Sequence, residues 1–127
     1  MTRPGIVAVS VTERFLCLSD AQADAIRARQ PSDADLRVAA RRLALLGDPT
    51  RIRIALVLHE AGELCVGDTA KLLGLNSALV SHHVRALAAN GLATKQRQGK
   101  LVRYRLTPPA TDLLSVALAE QGAAIKP

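Results

Sequence analysis

Aromatic side chains are almost missing from this 127-residue chain: Phe15 and Tyr104 are the only two, and there is no tryptophan. That scarcity argues against a base-stacking platform for single-stranded nucleic acid. It leaves a core of Leu, Val, Ile and Ala, which suits helices better than a sandwich or barrel. Cysteine is as scarce, with only Cys17 and Cys65. Two are too few for a disulfide framework and are expected as thiols in a cytoplasmic protein. No apolar run is long enough to span a bilayer. Residues 1–10, with one arginine and a short apolar patch at 6–9, do not make a secretory signal. Asp and Glu are absent between Asp68 and Asp112. No glycine loop that cradles phosphate, no nucleophile–base pair at usable spacing and no internal repeat occurs, so the chain does not read as an enzyme.

What the chain has is positive charge. Its formal net charge is +6 and its isoelectric point about 10.2, which favours a polyanionic partner. The charge is concentrated. Asn76 is a good N-cap for a helix that Asn90-Gly91 would end. At about 100° per residue, Leu79, Val80, His83, Val84 and Leu87 gather on one arc of it, and Ser77, Ala78, Ser81, His82, Arg85 and Ala89 on the other. The second arc carries small hydroxyls, an imidazole and a guanidinium without any acid, so it can approach phosphates and base edges of duplex DNA. A hairpin follows, residues 92–97 and 100–106 pairing across Gln98-Gly99. Val102, Tyr104 and Leu106 alternate with Arg103 and Arg105, which directs those cations away from the core. With Lys95, Arg97 and Lys100 they make a basic ribbon. Ser77, Ser81, His82, Arg85, Lys95, Arg97, Lys100 and Arg103 are the candidate DNA contacts. His83 is expected to be a hydrogen-bonded core histidine, and Arg51 and Arg53 to meet phosphate or surface acids.

Upstream, Ser19-Asp20 caps a helix over about 21–29 that Gln30-Pro31 ends. A second helix after Ser32-Asp33 repeats Leu36, Ala39, Ala40, Leu43 and Leu46 at helical spacing and stops at Gly47. Asp48-Pro49 starts a third, with acid as N-cap and proline at the first helical position. A short helix over about 66–73 precedes the reading helix, and a last one over about 108–124 follows the hairpin. The expected architecture is mainly α with a small β-hairpin, a winged helix-turn-helix. The last helix carries Leu113, Leu114, Val116, Ala117 and Leu118, a wider apolar face than a free end needs. A homodimer with helices from both ends of the chain at its interface accounts for that face. Residues 1–18 are expected to form a mobile arm carrying Cys17, and residues 19–124 the DNA-binding and dimerisation domain.

Four motifs in order resemble the ArsR/SmtB family: Leu46-Gly47-Asp48-Pro49-Thr50-Arg51, Glu63-Leu64-Cys65-Val66-Gly67-Asp68, residues 80–87, and Gly99-Lys100-Leu101-Val102-Arg103-Tyr104. The resemblance implies a dimeric bacterial repressor that releases operator DNA on binding a metal ion or another inducer. Cys65 falls at a helix N-cap, where a thiol is a poor substitute for serine and costs about 1 kcal/mol. A helix that accepts that loss points to another use for the sulfur; the alternative is a small buried apolar residue. Amides at the helix start favour a thiolate there and Asp68 opposes it. In the family, arsenic- and cadmium-type boxes carry a second cysteine where this chain has Gly67, so three thiolates within one helix are ruled out. Zinc-type members take ligands from the last helix, and here that helix has Asp112 and Glu120 but no histidine. By the same resemblance, arm cysteines complete a thiolate site across the dimer, so Cys17 of one subunit would meet the partner subunit's Cys65, with His59 as an optional third ligand. Cys17 in its apolar context, and His59 at a helix end, also read as ordinary packing and surface residues.

Two thiolates with an optional imidazole select soft ions. Mercury(II), which accepts two sulfur ligands, is expected first, then cadmium, lead or copper(I), with no organic cofactor. Rival readings are a thiol-redox switch using Cys17 and Cys65, and a repressor with a non-metal inducer.

Overall fold

The fold is taken from a computed structural model, which describes residues 14–119. The chain divides into two compact units, Met1–Ala39 and Ala40–Pro127. In the first, helix α1 (Asp20–Ala28) starts in a reciprocal capping box. Ser19 Oγ accepts from Gln22 N at 3.1 Å, and Gln22 Oε1 accepts from Ser19 N at 2.8 Å. Arg27 stands over the Phe15 ring, 5.3 Å from its centroid.

Helix α2 (Asp33–Leu45) departs from expectation. Its periodic Leu36 and Leu43 are 43% and 60% exposed, and Leu46 just beyond it is the member of that stripe that is buried. Periodicity shows that a face seeks an apolar partner; it does not show that the partner lies in the same chain.

The second unit is built around α3 (Pro49–Ala61), α4 (Val66–Leu73) and α5 (Ser77–Ala89). Asp48 caps α3, accepting from Arg51 N at 3.1 Å, and Pro49 occupies the first turn, where a missing N–H costs nothing. Asn76 caps α5, its Oδ1 accepting from Ala78 N at 2.7 Å. Gly74, at φ 65 and ψ 34, ends α4 in the left-handed region that a side chain would resist. The core joins Ile54 and Leu58 of α3, Val80, Val84 and Leu87 of α5, Leu92 and Leu114, all essentially without solvent contact. Each such aliphatic side chain contributes roughly 1.5–3 kcal/mol relative to exposure.

Three strands, not two, form the sheet. The hairpin pairs β2 (Ala93–Gln98) with β3 (Leu101–Leu106), and a two-residue strand β1 (Leu64–Cys65) adds to the other edge of β3. Leu64 lies opposite Tyr104 and Cys65 opposite Arg103. The hairpin register is one residue beyond the expected one: Gln98 pairs with Leu101, so the turn is Gly99-Lys100. Gly99 takes φ 63 at the first turn position, where that conformation suits the twist of the two strands. Helix α6 (Pro108–Leu118) follows, and Thr107 before it binds back, its Oγ1 donating to Gly91 O at 2.7 Å. The expected continuation of α6 to residue 124 lies outside the described residues.

Candidate nucleic-acid interface

Helix α5 presents the expected arcs with one exception. Val80, His83, Val84 and Leu87 are buried, whereas Leu79 is 41% exposed. Leu79 lies in the first turn of the helix, at the margin of the apolar arc. Ser77, His82 and Arg85 are exposed and Ser81 half-buried. These four side chains face outward, with no acid among them.

Two arginines fix the back of this helix. Arg51 on α3 donates from Nε to His83 Nδ1 at 3.1 Å and from Nη1 to Leu45 O at 3.0 Å. Its partners are thus His83 and Leu45, not the surface acid that sequence reading allowed, and it ties the end of α2 to the middle of α5. His83 is the expected core histidine. As acceptor at Nδ1 it is neutral, and burial holds its pKa below the ordinary 6.5. The Arg51 guanidinium lowers it further, Asp48 opposes, and His82 adds a little to the lowering. At the other end, Arg42 donates from Nε to Asn90 O at 3.2 Å, a cation on the carbonyl end of α5.

Cys65 behaves as a cap. Its φ of −80° and ψ of 163° are those of an N-cap, and Sγ accepts from Asp68 N at 3.4 Å. Its carbonyl also accepts from Thr69 Oγ1 at 2.9 Å. Cys65 is half-buried, and it lines a cleft of about 480 Å³ together with Ser81 and Arg85 of α5 and Lys95, Arg97 and Lys100 of the wing. One concavity is thus lined by Cys65 and by five of the candidate DNA contacts.

The remaining candidates lie elsewhere. Cys17 is exposed in the segment before α1, and His59 is half-buried in the last turn of α3. Among the described residues, no three His, Cys, Asp or Glu side chains of one chain gather around a point where an ion would sit. Arg103 is not free. Its Nη1 is 3.2 Å from Glu63 Oε1, and Arg105 Nη2 is 3.6 Å from Glu63 Oε2. Sequence reading missed Glu63 because its acid-free interval began at Asp68. The β1–β3 pairing brings Glu63 into that basic ribbon from outside the interval. No helix among the described residues is long and apolar enough to cross a membrane.

Residues 48–95, the stretch from the α3 cap to the first strand of the wing, match the family model of the bacterial regulatory protein, arsR family. That segment is thus similar to the helix-turn-helix region of the ArsR family. A cadmium resistance transcriptional regulatory protein CadC homolog of Staphylococcus aureus is 48% identical over 61 residues, which are 48% of this chain and 50% of that protein. The arsenical resistance operon repressor of Escherichia coli K12 is 44% identical over 64 residues, 50% of this chain and 55% of the repressor. The chain thus spans about half the length of these ArsR-family relatives. Among solved structures, the homodimeric winged helix-turn-helix DNA-binding domain of a possible ArsR-family regulator from Mycobacterium bovis superposes with a TM-score of 0.65 at 26% identity, covering 76% of this chain and 93% of that one. An antimony-specific repressor, AntR, shares the fold at 24% identity, with a TM-score of 0.59 over 92% of this chain and 94% of its own. The winged helix-turn-helix expected from the order of elements is the fold observed.

Proposed function

We propose that this chain is a metal-responsive repressor that binds operator DNA as a homodimer and lets go when a soft, thiophilic ion binds. Mercury(II) is the first choice, with cadmium, lead or copper(I) after it. One observation carries the reading: Cys65 lines the same cleft as Ser81, Arg85, Lys95, Arg97 and Lys100. An ion and its ligands at Cys65 would compete for the space and charge that DNA needs. Relatives named for cadmium and arsenical resistance support a metal signal.

The chemistry of the donors supports a soft ion. Cys65 offers one sulfur, a weak acceptor whose cap bond to Asp68 N is readily given up. Cys17, exposed in the other unit, is the second, offered across a dimer to the partner subunit's Cys65, with His59 as an optional third ligand. Two sulfurs suffice for mercury(II), whereas zinc would want four ligands. The exposed Leu36, Val38 and Leu43 of α2 and Val116 of α6, the last at 79% exposure, support a dimer that covers them. Ser77, Ser81, His82 and Arg85 are assigned to bases and phosphates, and Lys95, Arg97 and Lys100 to phosphates. A two-fold dimer sets its reading heads about one helical turn of DNA apart, so disturbing one cleft per subunit weakens both half-sites together.

The test is a titration of the apo-protein with each ion, followed by ultraviolet sulfur-to-metal absorption and by anisotropy of a labelled operator duplex. Metal and DNA must weaken one another equally, by a coupling of about 1–3 kcal/mol. DNA affinity that does not respond to any of these ions ends the metal reading. Because both cysteines are free thiols, a redox switch is the second reading. It takes the first place if peroxide alone releases DNA and metal does not.

A further inference from the structure

The basic ribbon of the wing has two faces. Side chains alternate along a strand, and residues directly opposite in an antiparallel pair share a face. Lys95 lies opposite Tyr104 and Arg97 opposite Val102, and all four line the cleft beside α5. Arg103 and Arg105 fall on the other face, opposite Gln96 and Thr94. There Glu63 receives both. Its carboxylate, 26% exposed, spans the two guanidinium groups with one oxygen each, at 3.2 and 3.6 Å. Glu63 immediately precedes β1, the strand that ends at Cys65 and pairs with β3.

We propose that Glu63 is a positioning residue that withholds Arg103 and Arg105 from the DNA phosphates, restricting the wing's contribution to Lys95, Arg97 and Lys100. The inference rests on the DNA-binding reading above and goes beyond it, since sequence alone places Arg103 among the contacts. Its physical basis is competition. A guanidinium committed to a carboxylate displaces no counterion from DNA, and a phosphate could gain it only by pulling it away from Glu63. The clamp also fastens the wing strand to the strand that carries the thiol. The angle of the wing is thereby set from the β1 side of the sheet.

The salt dependence of DNA affinity reads this directly, because each phosphate contact contributes about 0.9 to the slope of log K against log salt. Full-length wild type, Glu63→Gln, Arg103→Gln, Arg105→Gln and the triple variant are compared on one labelled duplex, without metal. In the wild-type background, Arg103→Gln and Arg105→Gln should leave the slope unchanged. Glu63→Gln should steepen it by one to two contacts, so that affinities diverge from wild type by about 3.5-fold per added contact across a fourfold change in salt. In the triple variant the slope should return to the wild-type value. A role limited to stability would lower the melting temperature without moving the slope. A slope that flattens by about one unit in Arg103→Gln alone overturns the proposal, because that arginine would already be on a phosphate. So does an unchanged slope in a folded Glu63→Gln. The arginine variants keep the test decisive even if Glu63→Gln fails to fold. Wild-type protein that binds no duplex at all overturns the DNA reading itself, an outcome distinct from either.

Discussion

Replacing Cys65 by serine and by alanine separates its observed role as a cap from its proposed role as a metal ligand. As the cap of α4, the sulfur accepts from Asp68 N at 3.4 Å, longer and weaker than the roughly 3.0 Å of a hydroxyl or amide acceptor. Serine is a preferred N-cap, and losing a good cap costs about 0.5–2 kcal/mol. The thiol supplies part of that range, so serine should stabilise α4 by up to about 1 kcal/mol, and alanine should destabilise it by a similar amount. For a chain of 127 residues, 1 kcal/mol moves the melting temperature by roughly 4 °C. Apo-protein melting followed by circular dichroism should therefore rank serine above cysteine above alanine. Metal response must rank differently. Neither serine nor alanine offers a sulfur, so both should hold DNA at mercury concentrations that release the wild type. The crossing of the two orders is the signature: the serine variant folds better and no longer senses. A serine variant that melts below wild type would refute the account of the cap. One that still releases DNA on mercury would refute the assignment of Cys65 as the sensing ligand.

Three further outcomes follow from the geometry. His83 has a folded-state pKa below its ordinary value, so the unfolded chain takes up its proton first; stability is fully present above about pH 6.5 and should fall as pH drops through the folded pKa, by at most about 1.4 kcal/mol per pH unit, and His83→Asn should flatten that slope between pH 5 and 7 in chemical denaturation. Gly91→Ala should cost about 1–2 kcal/mol, because φ is 72° and the new Cβ would stand 2.9 Å from Arg42 Nη2, whereas Gly67→Ala, with open space around it, should be neutral or slightly stabilising; paired urea melts check both. Lys100→Gln and Arg97→Gln should each flatten the salt slope of DNA binding by about one unit while leaving the melting temperature near wild type, as fluorescence anisotropy and thermal melts would show.

The parts of this fold that could be read from sequence are those whose signals are local. Asp48-Pro49, Asn76, Cys65 and Gly74 each act within a turn of the chain, and the helix boundaries they imply agree with α3, α4 and α5. The inner arc of α5 was legible because four of its five members, Val80, His83, Val84 and Leu87, face the core. The features that escaped are those made by contacts distant in sequence. Strand β1 has two residues, too few for any period, and exists because β3 offers a free edge. The Glu63 clamp spans 40 residues and the Arg51–His83 bond 32. Neither arginine differs in type from those expected on DNA, so composition assigned them by charge alone. The hairpin turn was displaced by one residue because Gly99 suits either turn position, and only the pairing of Ala93 with Leu106 selects between them.

On the proposed function, the site is stiff where it would read DNA and looser where it would sense metal. Helix α5 is held by its buried arc, by Arg51 at its middle and by Arg42 at its carbonyl end, and shifting it would break hydrogen bonds that are half-buried and costly to leave unmade. Cys65 has no comparable anchor on its sulfur, only one 3.4 Å bond at the surface. Strand β1, which carries it, is two residues long, so moving it disturbs few ladder bonds. A ligand drawn to that sulfur therefore meets little resistance from α4 and β1 and much from α5. The least costly response is a change in the cleft and in the wing strand that β1 pairs with, while the base-reading surface keeps its shape. On the proposed function, affinity is then lost through phosphate contacts first. Submaximal metal should accordingly reduce binding to operator and to unrelated duplex by similar factors, a comparison that competition anisotropy makes directly. Selective loss of operator binding, with unrelated duplex unaffected, would mean that α5 itself is deformed.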